Sequence, residues 1–200
     1  MYEAILIFLC YYLVVEIYPF IVLYGAPNLG KTVQAKLLAE YLHAHYIKYP
    51  VYDLEPTGPA INAVLRHGVL CTPLELQTMY AQNRRDYEPT LREILLVKPV
   101  VGEAYIKTGI ANGLLEEVPR EILETINADL LVEDHGILLD GERFVSGIER
   151  EHRFESGDWE RTREIHRELA AEFGWDIVDA NRSIEAVHND IVSCVSKKFV

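Results

Sequence analysis

A chain of 200 residues with 50% hydrophobic content is long enough to bury one sizeable core, and nothing in its middle reads as a linker, repeat or low-complexity tract. Its formal charge of −12 argues against non-specific binding to nucleic acid or to an anionic membrane, so an anionic ligand has to be met by a local basic patch. Cys10, Cys71 and Cys194 stand far apart and form no C-x-x-C, which points to reduced thiols in a cytoplasmic protein rather than to a disulfide framework or a thiolate metal site.

Ala4 to Val15 is apolar throughout, yet it is shorter than the roughly 20 residues a membrane span needs and is bounded by Glu3 and Glu16. It has neither the basic start nor the small-residue cleavage site of a secretory leader. We read residues 1–16 as an extension appended to a domain over 17–200, with a membrane or partner anchor as the alternative.

Phe20 to Tyr24 is an apolar strand that runs straight into Gly25-Ala26-Pro27-Asn28-Leu29-Gly30-Lys31-Thr32, a G-x-x-x-x-G-K-[ST] pattern. The glycines allow sharp turns and close backbone approach, and consecutive N–H groups with a helix N-terminus surround phosphate oxygens. Lys31 would reach the β- and γ-phosphates of a bound nucleotide, and the Thr32 hydroxyl would hold Mg²⁺. A helical apolar pattern in Val33, Leu37, Leu38 and Tyr41 follows at once, the context such a loop requires.

That helix is expected over about Lys31 to His45, with His43 and His45 as a solvated pair at its end, and Tyr46 to Leu54 alternates as a strand. Thr72-Pro73-Leu74-Glu75 carries three helix-start signals, and its helix should run through Arg84 and bend or restart near Pro89. A strand at Val97 to Gly102, helix from about Ile106 to Asp129, and a strand from Gly136 to Leu139 ending on Asp140 come next. A helix from Asp158 to Phe173 stops at Gly174, Trp175 to Asp179 forms the last strand, and Ser183 caps the final helix. Five short strands separated by helices predict an α/β fold: a mostly parallel sheet covered on both faces, with ligands at the strands' carboxyl ends.

No guanine-reading N-K-x-D follows the loop, and large ATPase motors usually need more chain, so a small kinase remains. Residues 30 to 42 (GKTVQAKLLAEYL), Glu55-Pro56-Thr57-Gly58, Tyr80 to Arg84, Val100 to Tyr105, Arg153-Phe154-Glu155, Asp179 to Ser183 and Val187 to Ile191, in this order and spacing, resemble the thymidylate kinase family of nucleoside monophosphate kinases from about Phe20 onward. The resemblance implies a P-loop NTPase fold with a small lid at about 143–157, and a homodimer. The reaction it implies is transfer from ATP, with Mg²⁺, to a nucleoside monophosphate, most of all dTMP.

By that resemblance Glu55 and Gly58 form the turn that closes over the acceptor, Tyr80 stacks on its base, and Arg84, one helical turn on, bonds the base. Arg66 would hold the acceptor phosphate, and Tyr105 would line the same subsite. Arg143, Arg150 and Arg153 fall in or beside the lid, with Gly147 and Gly157 as its hinges; Lys31, Glu103, Arg150 and Arg153 would make up the catalytic set. Glu103 would serve the metal with Thr32, Asp140 being its rival on pattern alone, and Asn181 and Arg182 would face adenine.

Two departures bear on the acceptor. The family's Asp-Arg-Tyr stands here as Glu103-Ala104-Tyr105, without the phosphate-binding arginine, and Lys107 is the nearest substitute in sequence. Pro27 stands where the family has an acidic residue. A deoxynucleoside kinase and a nucleotide-binding module without turnover are therefore the competing readings.

Overall fold

In the computed structural model, which describes residues 17–146, 148, 153–154 and 158–199, β1 (Phe20–Tyr24) is the central strand of a five-stranded sheet. All five of its residues are buried, which is why they read as an unbroken apolar run: both faces of the strand are covered. The chain continues through α1 (Lys31–Tyr41), β2 (His45–Lys48), α2 (Thr57–Arg66), α3 (Pro73–Leu95), β3 (Val100–Glu103), α4 (Ile106–Leu115) and α5 (Arg120–Thr125). It ends with β4 (His135–Asp140), α6 (Trp159–Phe173), β5 (Asp176–Asp179) and α7 (Ile184–Phe199). The strand order is β2-β3-β1-β4-β5, with every pair parallel.

Alternate residues of β1 feed two cores, as the two-residue period of a strand requires. Phe20, Val22 and Tyr24 pack with Leu91, Leu95, Ile165 and Leu169 beneath α3, α4 and α6. Ile21 and Leu23 pack with Leu38, Val187 and Ile191 beneath α1 and α7. Tyr24 lies flat on Trp175, ring centroids 4.2 Å apart. A third cluster, including Ile61, Leu76, Tyr80 and Phe154, joins α2 to α3. The register sets Leu23 beside Glu103 and Lys48 beside Glu103, so the carboxyl ends of β1, β2 and β3 converge where the strand order reverses, the place where open parallel sheets bind ligands.

Several boundaries differ from expectation. α1 ends at Tyr41, His43 takes a left-handed φ of 51°, and His45 already belongs to β2. β2 stops at Lys48 rather than Leu54, since Pro50 has no N–H to give to a ladder. The capping box of α3 is present, Glu75 N donating to Thr72 Oγ1 and Thr72 N to Glu75 Oε2. The helix runs on through Pro89 as one element of 23 residues, anchored beyond the proline by buried Leu91 and Leu95. The long helix expected after Ile106 is two helices, separated by Glu117 at φ 61° and by Pro119. Residues 1–16, and Gly147, Arg150, Glu155 and Gly157 of the expected lid, lie outside the described residues. Among the described residues no helix is long and apolar enough to cross a membrane.

Candidate active site

Gly25 leaves β1 at φ 139°, and a Cβ there would sit 2.4 Å from the Leu139 carbonyl oxygen, so only glycine lets the loop pass β4 this closely. Asn28 and Gly30, at φ 59° and 76°, complete the curve and start α1. Lys31 folds back across the loop, its Nζ donating to the Ala26 carbonyl at 2.6 Å. Two bonds grip the outside of the loop: Phe144 N donates to Asn28 O at 3.0 Å and Trp159 Nε1 to Pro27 O at 2.8 Å. Phe144 and Trp159 flank the segment in which the sequence placed a lid, and only their three-dimensional placement shows that they touch the loop.

Glu103 closes β3 beside that loop. Thr32 Oγ1 donates to its Oε1 at 2.8 Å, Tyr46 OH to its Oε2 at 2.7 Å, and Lys48 Nζ stands 3.0 Å from Oε1. Burial pushes the Glu103 carboxyl upward, but Lys48, Lys31 and the Tyr46 hydroxyl together outweigh it and hold it below the usual range, hence anionic. Thr32 and Glu103 thus present two hard oxygens at one point, a donor set suited to Mg²⁺ completed by phosphates and water. Asp140, the rival by sequence, is engaged elsewhere: Arg163 Nε and Arg167 Nε of α6 donate to it at 2.7 and 2.9 Å.

From the P-loop a cleft of about 330 Å³ extends to Tyr80 and Arg84 on α3. Arg84 is buried, donating from Nη1 to Asn127 Oδ1 and from Nη2 to the Tyr105 carbonyl, both at 3.0 Å. Gly109 makes room for it, since a Cβ there would lie 2.6 Å from Nη2. Among the buried polar atoms of the cleft wall, Arg84 Nε and Thr108 Oγ1 have no hydrogen-bond partner among the described residues. A ligand with polar edges would satisfy both, the ordinary fate of buried polar groups. His166 of α6 also reaches this wall, with Nδ1 held by Thr162 O at 2.8 Å and Nε2 without a partner among the described residues; burial pulls its pKa down to about 4.

The remaining sequence candidates fall into two groups. Arg66 lines the cleft, its guanidinium 4.8 Å over the Tyr52 ring and bonded to Asn62. Tyr105, by contrast, is fully buried, its ring against Phe20 and Tyr49, so it supports Arg84 through its carbonyl instead of lining the subsite. Glu55 is exposed, and Gly58 faces inward, where a Cβ would meet Tyr52 O at 2.2 Å; the turn bordering the cleft is Lys48 to Tyr52, just ahead of the one the sequence suggested. Arg153 donates to Glu116 Oε1 from Nε at 2.8 Å and to Cys71 O from Nη1 at 3.2 Å, which ties it to α4. Asn181 bonds Glu142 O, joining the loops after β4 and β5, and Arg182 pairs with Asp190. Lys107 stands 4.3 Å over the Phe173 ring, not in the cleft.

The thymidylate kinase family model matches residues 25–191. A probable thymidylate kinase of Methanocaldococcus jannaschii is 29% identical over 177 residues, covering 86% of this chain and 93% of that protein. One from Pyrobaculum calidifontis is 28% identical over 193 residues, covering 89% and 96%. The fold is shared with the thymidylate kinase of Candida albicans at a TM-score of 0.77, with 18% identity over 90% of this chain and 92% of that one. That of Ehrlichia chaffeensis gives 0.72, with 19% identity over 90% and 98%. With the family model running from the first glycine of the P-loop into α7, the chain belongs to the thymidylate kinase family.

Proposed function

We propose that the protein transfers the γ-phosphoryl group of ATP to dTMP, giving dTDP and ADP. The observation that carries this reading is one continuous cleft with a phosphate-binding loop at one end and, at the other, a buried arginine whose Nε has no partner among the described residues. A pyrimidine base offers carbonyl oxygens to such a donor, and Tyr80, one turn away on α3, gives it an aromatic face.

Phosphoryl transfer asks little covalent chemistry of a protein, so the work here is alignment and charge stabilisation. The P-loop amides and Lys31 would cradle the donor's phosphates, and the ammonium would exchange the Ala26 carbonyl for a phosphate oxygen. Thr32 and Glu103 would hold Mg²⁺, which when bound neutralises charge on the phosphates. Residues 17–200 would form the kinase domain, with 143–157 as a lid fastened to the P-loop through Phe144 and Trp159. A homodimer and a cytoplasmic setting rest on the family relationship and the charge of −12.

A nucleoside kinase is the second reading, favoured by one observation: Ala104, which lines the cleft next to Glu103, offers no cation to an acceptor phosphate. A coupled ADP-release assay with ATP and each nucleoside monophosphate, run in parallel with the unphosphorylated nucleoside thymidine, separates the two. Turnover highest with dTMP is the expected result. Faster turnover of thymidine, or ADP release with none of them, overturns the proposal.

A further inference from the structure

Lys48 ends β2, directly beside Glu103 in the parallel ladder. Its side chain is 45% exposed while that of Glu103 is 5% exposed, so the ammonium reaches the carboxylate from the cleft. Nζ lies 3.0 Å from Glu103 Oε1 and 3.5 Å from Thr32 Oγ1. It therefore stands at the junction of the two subsites, between the end of the P-loop and the Tyr49 to Tyr52 wall.

An acceptor phosphate aligned with a donor bound on the P-loop has to come to this junction, next to the anionic Glu103, in a protein of charge −12. Two anions that close repel unless a cation stands with them. Four other cations that the sequence offered have definite places among the described residues. Arg84 lies in the buried wall on Asn127 and Tyr105, Arg153 is held on Glu116, and Lys107 lies over Phe173. Arg66 lines the cleft from the end of α2, stacked on Tyr52. Lys48 differs from all of these. An ammonium carries three N–H donors, so it can keep its bond to Glu103 and still give two to an incoming phosphate.

Resting on the function proposed above, we infer that Lys48 binds the phosphate of the acceptor nucleotide and shields it from Glu103, taking the part that Ala104 leaves without a cation. The group it recognises is the phosphate monoester, whatever base the nucleotide carries. Lys107 has no part in it.

The test is calorimetric titration of dTMP, thymidine and ADP into the wild type, Lys48→Ala, Lys48→Arg and Lys107→Ala, with melting temperatures recorded for each. Lys48→Ala should weaken dTMP by roughly ten- to a hundredfold, the loss expected for one charged hydrogen-bonding partner, while thymidine and ADP change by less than about threefold. Lys48→Arg, which keeps the charge if Lys48→Ala fails to fold, should hold dTMP within about fivefold. Lys107→Ala should match the wild type. The wild-type affinity for dTMP should fall with added salt more steeply than that for thymidine. Equal losses for dTMP and thymidine, or an unchanged dTMP affinity in Lys48→Ala, would overturn the assignment and leave Lys48 as the counter-ion of Glu103 alone. A wild type that turns dTMP over leaves the proposed function standing in either case; one that neither binds nor phosphorylates dTMP overturns that function and this inference with it.

Discussion

The two ends of the cleft are built by different means. The P-loop end is eight consecutive residues, Gly25 to Thr32, whose shape follows from backbone freedom at two glycines and from the start of α1. The acceptor end is assembled from Lys48 to Tyr52, Tyr80 and Arg84, Thr108 and Phe154, segments brought together by the packing of α2, α3 and α4. A contiguous loop carries its geometry in its letters, whereas an assembled pocket depends on side chains whose partners are far away in sequence.

The largest effect should come from the contiguous end. Lys31→Ala removes the one side-chain cation of the loop and should lower kcat on the order of a thousandfold, comparable to losing a main electrostatic stabiliser of a transition state. The melting temperature should stay near that of the wild type, because the bond that Lys31 gives to the Ala26 carbonyl lies within the loop itself. A stopped-flow or coupled assay on the folded variant checks both. Wild-type turnover would mean that the loop is not the donor site.

The wall behind the loop should show itself in acid. His166 has its folded pKa pulled down to about 4 by burial, opposed by its bond to Thr162 O and aided to a lesser extent by the Lys31 charge. Between pH 6.5 and 4 the unfolded chain therefore binds a proton that the folded chain refuses, so stability rises with pH across that window and is lost as pH falls. The loss should reach about 3 kcal/mol by pH 4. His45 and His135 are shifted in the same direction, while the depressed carboxyls of Glu103 and Asp140 act at lower pH. Denaturant unfolding at successive pH values should show a shallower acid decline in His166→Phe than in the wild type. Identical slopes would remove His166 from the account.

How much of this was legible follows the same division. The glycine pattern of the P-loop, the Thr72–Glu75 capping box and the apolar run of β1 are local signals, and each appears in the structure where the residues place it. Tyr80 and Arg84 could be paired because one helical turn separates them, and both line the cleft. Lys48, Thr108, Trp159 and His166 carry no local pattern. Each becomes a site residue only because β2 lies beside β3, because α4 lines the cleft wall, or because α6 passes behind the P-loop. Gly58 shows the converse error. Its glycine is required, but by the Val51–Tyr52 backbone behind the cleft wall and not by a ligand.

That correction sharpens into a test at the acceptor end. Gly58→Ala would put a Cβ 2.2 Å from Tyr52 O, which has to move and carry the Lys48 to Tyr52 wall with it. The expected outcome is a loss of about 1–3 kcal/mol in stability and a rise of roughly tenfold in acceptor KM, with the KM for ATP nearly unchanged. Steady-state kinetics with each substrate varied in turn decides. At the donor end, Trp159→Phe deletes the N–H that holds Pro27 O while keeping an aromatic ring. Here the KM for ATP should rise by about fivefold, near 1 kcal/mol, and the acceptor KM should not move.

The independence of the two ends is measured most directly by titrating ADP and dTMP separately into the wild type, Lys31→Ala and Arg84→Ala. Lys31→Ala should weaken ADP while binding dTMP as the wild type does. Arg84→Ala should weaken dTMP by at least about tenfold while keeping ADP, provided the melting curve shows that α3 still holds without the bonds to Asn127 and Tyr105. Both ligands weakened to the same extent by each variant would contradict the account, since the cleft would then be one coupled site and not two.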